Sequence, residues 1–555
     1  MSIEAPEVIR GAPGRLGAHG APGSARRHRG WWYFGAFLLV IVGGGALAMY
    51  LLRPSVSISA GGPELATVSL RGPGTTLVAA GAHLGSKTVG LVDHGGVLQP
   101  SSPLPAGTAV SVTVTARSPW WASWWAGSRI TKTVSVDAPT ATFSASVDEF
   151  PPGGSPSVHF AQPVRLVTWT YAGTTHTQQL TTPATTVALA LPSGHPAYGT
   201  VQISAARYQW ETLSAPAALT FFQGTGPLVA ATPAPGADPS PSTPITLAFS
   251  RPVTSLFGRS LPTVSVALLS TPPAGKWSSP DPYTLRFQPA AGALWPGQNV
   301  QVHLPASVRV NGGAPTTTLS YSLAQGSVAR LQQELAALNY LPFNWTPAAG
   351  QPAAPSNVDS AAAVANSAPQ GSFSWRWAPP SLLAAMWQPG QDGILTQGAV
   401  KAFEHVSGLD PVGYANPLLW PYLAQALAAN KQNPNGYTWV DVSKTLPETL
   451  TVWHNGQAVI TTPTNTGIPQ DPTADGTYAV YLRYTAQVMR GTNPDGSTYA
   501  DPVKWVSYFN GSDAIHGFVR ATYGSPQSLG CAELPYATAQ QVYPLTPIGT
   551  LVTVH

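Results

Sequence analysis

The sequence predicts a mainly β, multidomain chain, with one apolar helix near its start and a small helical unit before a last β-rich domain. Three observations carry this expectation. Gly and Pro together supply one residue in five of the 555, a density of turn formers suited to many short strands. Charged residues are only 9%, well below the usual quarter, which argues against long solvated helices. Runs of alternating apolar and polar residues recur about every ten residues between 55 and 326, the spacing of β-sandwiches. A chain of this length also exceeds what a single hydrophobic core can organise.

Residues 1–30 form a basic tail, with five Arg against Glu4 and Glu7. Residues 31–52, WWYFGAFLLVIVGGGALAMYLL, carry no charge. As a transmembrane helix this run spans about 33 Å, close to a bilayer's hydrocarbon core. Trp31, Trp32 and Tyr33 open it, and Arg26, Arg27 and Arg29 precede it. Positive charge stays inside, so the expected location is the cell membrane, single-pass, with the N-terminus cytoplasmic and residues 53–555 outside. A cleaved signal peptide, with Ala46-Leu47-Ala48 as the cleavage site, is the competing reading. Both place most of the chain beyond the cytoplasm.

Three β-sandwiches are expected next. SVSISA, LATVSL, TAVSVTVTA and TKTVSVDA mark the first, at 55–138; SPSVHF, VRLVTWTYA, TTVALALP and TVQISAARY mark the second, at 139–225. The third, at 226–326, contains ITLAFSRPV and KWSSPDPYTLRFQPAAGALWPGQNVQVHL. It resembles bacterial Ig-like domains, which implies a spacer without chemistry. Within the first lies PWWASWWAG, Pro119 to Gly127. Its tryptophans suit core or interdomain packing, an interface patch, or a shallow membrane contact.

Helical spacing appears at 327. SVARLQQELAALNYL places Val328, Leu331, Leu335 and Leu338 on one face, and DGILTQGAVKAFEHVSGL does the same with Val400, Phe403 and Val406. Leu331-Gln332, Asp392-Gly393 and Ala399 to Phe403 resemble the parts of the peptidoglycan-binding repeat. The unit is expected at 327–415, interrupted by a Pro/Ala/Ser-rich insertion at 342–390 with Trp375, Trp377 and Trp387. A glycan-binding domain and a plain helical spacer both fit. AANKQNPNG is a polar linker. The β-rich domain at 437–555 then opens with a hairpin turning at His454-Asn455-Gly456-Gln457.

Cys531, in SLGCAELP, is the only cysteine, so no internal disulfide framework exists. A lone thiol is a buried small hydrophobe, a site of intermolecular pairing, or a nucleophile. His516 lies 15 positions upstream. An imidazole can take a thiol's proton or pair with the thiolate. Gly530 lets the backbone turn tightly, so that amides at the nucleophile can face a developing oxyanion.

His516-Gly517, Ser528-x-Gly530-Cys531, the closing PLTPIGTLVTV, Thr466-Gly467 and Pro472 through Tyr478 together resemble the L,D-transpeptidase catalytic domain (the YkuD family). The resemblance covers 437–555. It implies a β fold with the cysteine in a cleft under a flap, and acyl transfer on peptidoglycan stem peptides through a thioester. It implies that Cys531 is the nucleophile and His516 the base. Gly530 and Cys531 would supply oxyanion amides, and Ser528 would shape the loop and orient His516 through its carbonyl. Gly517 would be the small residue after the base, and Tyr508 the aromatic near the donor peptide. It further implies insensitivity to many β-lactams but reaction with carbapenems. Two positions depart from the family pattern: Leu529 stands where the motif has His, and Glu533 where Arg or Asn is usual. A carboxylate at Glu533 disfavours the thiolate if it points inward, or instead meets the acceptor's cationic amine. Leu529 and Glu533 also suit a second reading, a non-catalytic wall-binding scaffold, and resolution of the thioester by water would make the enzyme a hydrolase.

Other chemistries are excluded on residue content. One cysteine and scattered histidines offer no zinc set. There is no Walker loop or dinucleotide glycine motif, no serine elbow and no Ser-x-x-Lys. Asp471 and Asp475 suit turn capping. A net charge of +4, most of it in the tail, gives no nucleic-acid surface. No metal or cofactor is expected.

Overall fold

The computed structural model describes residue 45 and residues 47–555, except 61, 139 and 268. Strand takes 44% of the chain against 14% for helix, so the molecule is mainly β. Among the described residues no helix is long and apolar enough to cross a membrane. The tail expected at 1–30 and residues 31–44 and 46 of the span expected at 31–52 lie outside the described residues; residue 45 and residues 47–51 are helical.

The chain divides into two compact units. The first unit holds the described residues up to 146, with 157–189 and 201–219. Its opening module packs two four-stranded antiparallel sheets. One runs Ser55–Ala60, Ala66–Arg71, Val97–Pro100, Leu91–His94; the other runs Lys87–Val89, Thr76–Leu84, Thr108–Arg117, Arg129–Ala138. Period-two alternation buries Val110, Val112 and Val114 on one face against Val56, Val68 and Leu98. The long hairpin Ser157–Tyr171 with Thr174–Ala188 follows, and residues 202–206 pair on its first strand.

In the second unit, residues 147–150 pair in parallel with 220–223. The stretch 226–326, expected as an Ig-like sandwich, forms seven strands in one hydrogen-bonded set. Leu228–Thr232 pairs antiparallel with Ile245–Phe249 and in parallel with Asn299–Val310. ITLAF buries Ile245, Leu247 and Phe249 in alternation, and they meet Leu285, Phe287, Val300 and Val302 in its core.

Helix α1 (Val328–Ala337) starts at Ser327, whose hydroxyl accepts from the Arg330 amide. Leu331 and Leu335 pack with Val400 and Phe403 of α2 (Ile394–Val406) and with α3 (Leu419–Ala428). Gln332, fully buried, explains the Leu-Gln pair. Its amide donates to Gln388 O, Gln391 O and Thr396 Oγ1, and its carbonyl accepts from Gly390 N, which fixes the turn before α2. The insertion at 342–390 is packed against this core. Phe343–Pro347 pairs with Gly371–Trp375, and Phe343 meets Trp375 and Trp387 with ring centroids 4.3 and 3.9 Å away.

The C-terminal domain has two sheets. The first orders as β3 (Gln457–Pro463), β2 (Thr449–His454), β1 (Thr438–Ser443), β9 (Leu551–Val554), β4 (Gly476–Ala479). The second orders as β5 (Leu482–Thr492), β6 (Thr498–Asn510), β7 (Asp513–Gly517), β8 (Ala532–Leu534). The β2–β3 hairpin turns at Asn455 and Gly456, both at positive φ, as a two-residue turn of that sequence requires. Val440, Val442, Leu450 and Val452 of the first sheet meet Ile515, Ala532 and Leu534 of the second, with α4 (Tyr536–Val542) closing the core.

Candidate active site

Strands β7 and β8 run parallel, with Ile515 opposite Ala532 and His516 opposite Glu533. This register sets Cys531 level with Ala514. Side chains alternate along strands, so Cys531, Glu533 and His516 share one face. All three line a cleft of about 440 Å³. The β5–β6 hairpin walls its other side with Met489, Asn493, Tyr499, Asp501 and Val503.

The loop bearing Cys531 is pinned from several directions. Ser528 is buried; its hydroxyl donates to Cys531 O at 2.6 Å, its amide donates to Thr466 O, and its carbonyl accepts from Ile468 N. Thr466 is held in turn by the buried Glu448, which accepts from its amide and its hydroxyl, both at 2.7 Å. Gly467 follows because a Cβ there would stand 2.2 Å from Asp471 O. Gly530 is required twice over. Its φ is +93°, and a Cβ would lie 2.4 Å from Asp513 Oδ1. Among the described residues, the Gly530 and Cys531 amides make no backbone hydrogen bond.

The orientation of His516 comes from a different partner than the sequence suggested. Its Nδ1 meets Gly517 O at 3.2 Å, not the Ser528 carbonyl. A carbonyl can only accept, so Nδ1 carries the proton and Nε2 presents its lone pair. Burial holds the imidazole below its ordinary pKa, so the ring is neutral at neutral pH. Burial also pushes the Cys531 thiol up to about 12, against an opposing backbone hydrogen bond from Ala514. The sulfur donates to Ser512 O at 3.7 Å. The resting pair is therefore thiol and neutral imidazole.

Glu533 does not stand free for an amine. Its carboxylate takes a two-point contact from Arg520, Nε to Oε2 at 2.7 Å and Nη2 to Oε1 at 2.8 Å. Arg520 also donates to Gln527 O and lies over the Phe518 ring. The pair is electrically neutral, and a fork of this kind leaves little capacity for a second cation. Leu529, half-buried, lines the cleft as an apolar wall.

Gly517 contributes by packing: a Cβ would strike Tyr536 of α4 at 2.6 Å. Tyr508 packs with Val503, Val506, Ala514 and Cys531, and its hydroxyl accepts from Gln487. It is not among the residues lining the cleft; Tyr499 is. Arg520, Tyr499 and Asp501 are residues that sequence reasoning missed. Arg520 had a signal, being the only Arg or Lys after residue 517, where a carboxylate beside the cysteine needs a counter-ion. Tyr499 had a fainter one in Gly491, its cross-strand partner, where a Cβ would fall 2.5 Å from the Tyr499 hydroxyl.

Residues 437–554 match the L,D-transpeptidase catalytic domain family. No curated protein matches the chain. Solved structures similar to it include an L,D-transpeptidase from Mycobacterium smegmatis, at 15% identity and a TM-score of 0.20 over 60% of this chain and 100% of that one. Another is the catalytic domain of the E. faecium L,D-transpeptidase, at 24% identity and a TM-score of 0.20 over 21% of this chain and 96% of that one. A third is an L,D-transpeptidase from Mycobacterium tuberculosis H37Rv, at 13% identity and a TM-score of 0.19 over 59% and 98%.

Proposed function

We propose, from the premise that residues 437–554 are an L,D-transpeptidase catalytic domain, that this chain is a membrane-anchored enzyme that cross-links peptidoglycan stem peptides by way of a Cys531 thioester. One observation carries the reading. The thiol of Cys531 and the imidazole of His516, whose Nε2 lone pair is available, line one cleft.

Nε2 of His516 takes the thiol proton as the sulfur attacks the carbonyl carbon of the amide between the diamino acid and the terminal D-amino acid. The charge that develops on the carbonyl oxygen faces the Gly530 and Cys531 amides, whose hydrogen bonds strengthen as it grows. The C–N bond breaks, and His516 returns the proton to the departing amine. The acceptor's side-chain amine then attacks the thioester. His516 takes that amine's proton and passes it to the leaving sulfur, which restores the thiol. No preformed thiolate is needed, because proton removal and attack are concerted. The apolar run at 31–52 would hold this domain outside the membrane.

Incubation of the protein with purified tetrapeptide stems is the test. Release of the terminal D-amino acid together with cross-linked dimers supports the reading, and both must vanish in Cys531→Ala. Release with only tripeptide as the other product would identify a hydrolase. No release and no carbapenem adduct on Cys531 would leave a scaffold.

A further inference from the structure

One end of the first sandwich gathers features that catalysis does not use. Trp120 and Trp124 are 88% and 74% exposed. They are held out by their own loop. The amides of Ala122 and Ser123 donate to Pro119 O, and Trp124 Nε1 donates to Trp121 O at 2.9 Å. With that N–H satisfied inside the loop, the apolar faces of the ring stand in solvent.

The apolar run enters the module at the same end. A Cβ on Gly72 would come within 2.9 Å of Pro54 Cα, and one on Gly74 within 3.2 Å of Pro119 Cβ. The turn of residues 72–74 is thus wedged between the residues leaving the apolar run and those opening the tryptophan loop. Leu47, Tyr50 and Leu51 are exposed there too, at 59, 76 and 70%.

Charge completes the pattern. Strand register places Arg71 opposite Ser55, and Arg117 opposite both Thr76 and Arg129. These arginines therefore cap the strands at this end, beside Arg53. All four are exposed. Residues 47–56, 70–77 and 115–131 contain no Asp or Glu. The module's Glu64 and Asp137 sit at the opposite strand ends, next to the Ala60–Ala66 and Ala109–Asp137 pairings.

We infer that this end is a membrane-contact face: Trp120 and Trp124 seat at the headgroup level of the leaflet from which the chain emerges, while Arg53, Arg71, Arg117 and Arg129 engage anionic lipid headgroups. Indoles prefer that depth, and basic side chains beside a membrane gain from anionic lipid. A bilayer is the fitting occupant because the apolar run delivers this end to one. The inference rests on the proposed membrane anchoring for the side from which lipid approaches. Its consequence is that the first module lies held against the surface instead of swinging on a tether.

The test uses the full chain reconstituted into phosphatidylcholine vesicles containing phosphatidylglycerol, with bromine on the acyl chains as a tryptophan quencher. Trp120→Ala/Trp124→Ala is expected to lose a measurable part of the quenched emission, with thermal stability retained. Arg71→Gln/Arg117→Gln/Arg129→Gln, which keeps both indoles, should show in anionic vesicles the weaker quenching that the unaltered chain shows in pure phosphatidylcholine. Equal quenching in the unaltered chain and the tryptophan variant, with the protein floating with the vesicles, overturns the inference alone. A chain that does not float with them overturns the membrane anchoring as well.

Discussion

At Cys531 the same burial that makes the sulfur part of a core also keeps it protonated. The thiol sits near 12 and the His516 imidazole below its ordinary value, so neutral pH finds both uncharged. Carbapenem acylation should then rise through a single midpoint below 6.5, as His516 loses its proton, and stay level from pH 7 to 9. A free thiol would instead show a second rise near 8.5; mass spectrometry of the adduct against pH distinguishes the two. His516→Gln should slow acylation by about 10²–10⁴-fold. Linkage gives a matching stability effect. A depressed imidazole pKa contributes stability that is present above the unfolded value and lost as pH falls through the folded one. The thermal midpoint should therefore drop at acid pH, and less so in His516→Gln. Arg520 and Glu533 form the other residue-scale unit. Their side chains are 29% and 6% exposed, so Arg520→Gln strands a buried carboxylate. A loss of about 3 kcal/mol is expected, the low end for such pairs because Arg520 keeps contact with water. Arg520→Gln/Glu533→Gln should recover much of it in urea unfolding. Additive losses would show that the pair is uncoupled.

At the scale of elements, two devices build the cleft. The parallel β7–β8 register carries His516 and Cys531 onto one face although 14 residues separate them. The β5–β6 hairpin stands opposite, and a register shift between Lys504 and Ser507, with Trp505 at φ 63°, offsets β6 along β7. Tyr499 reaches the cleft by lying across Gly491. Removing the ring in Tyr499→Ala should weaken stem-peptide binding by about five-fold, the equivalent of roughly 1 kcal/mol of aromatic contact. Gly491→Val should do the same by displacing the ring. Steady-state kinetics would show a raised KM in both; an unchanged KM in both would remove the hairpin from substrate recognition.

At the scale of the whole molecule, the helical unit and the C-terminal domain share a core. Trp439 of β1 and Leu551 of β9 are buried with Leu395, Val400 and Phe403 of the helical unit. The backbones nearly touch: a Cβ on Gly398 of α2 would lie 2.7 Å from Leu551 Cδ2 and 2.9 Å from Gly549 O. Gly398→Leu should therefore destabilise the C-terminal domain although it lies outside it. Loss of carbapenem labelling after a heat step should occur at a lower temperature in that variant. An unchanged temperature would mean that the two parts unfold independently.

The sequence alone determined the β class, the turn at Asn455-Gly456, the helical faces around Leu331 and Phe403, and the identity of Cys531 and His516 as the residues to watch. These are local facts, fixed by periodicity, by glycine's tolerance of positive φ, and by the scarcity of reactive side chains. Only the tertiary structure decided what those residues touch. It gave Glu533 to Arg520 in place of an amine, His516 to its neighbour's carbonyl in place of that of Ser528, and the cleft wall to Tyr499 in place of Tyr508. It also brought Pro54 and Pro119 to the same turn. Such partners are chosen by strand register and by the cost of leaving a buried charge or donor unpaired. Both are set by contacts between segments far apart in the chain, and no local pattern encodes them.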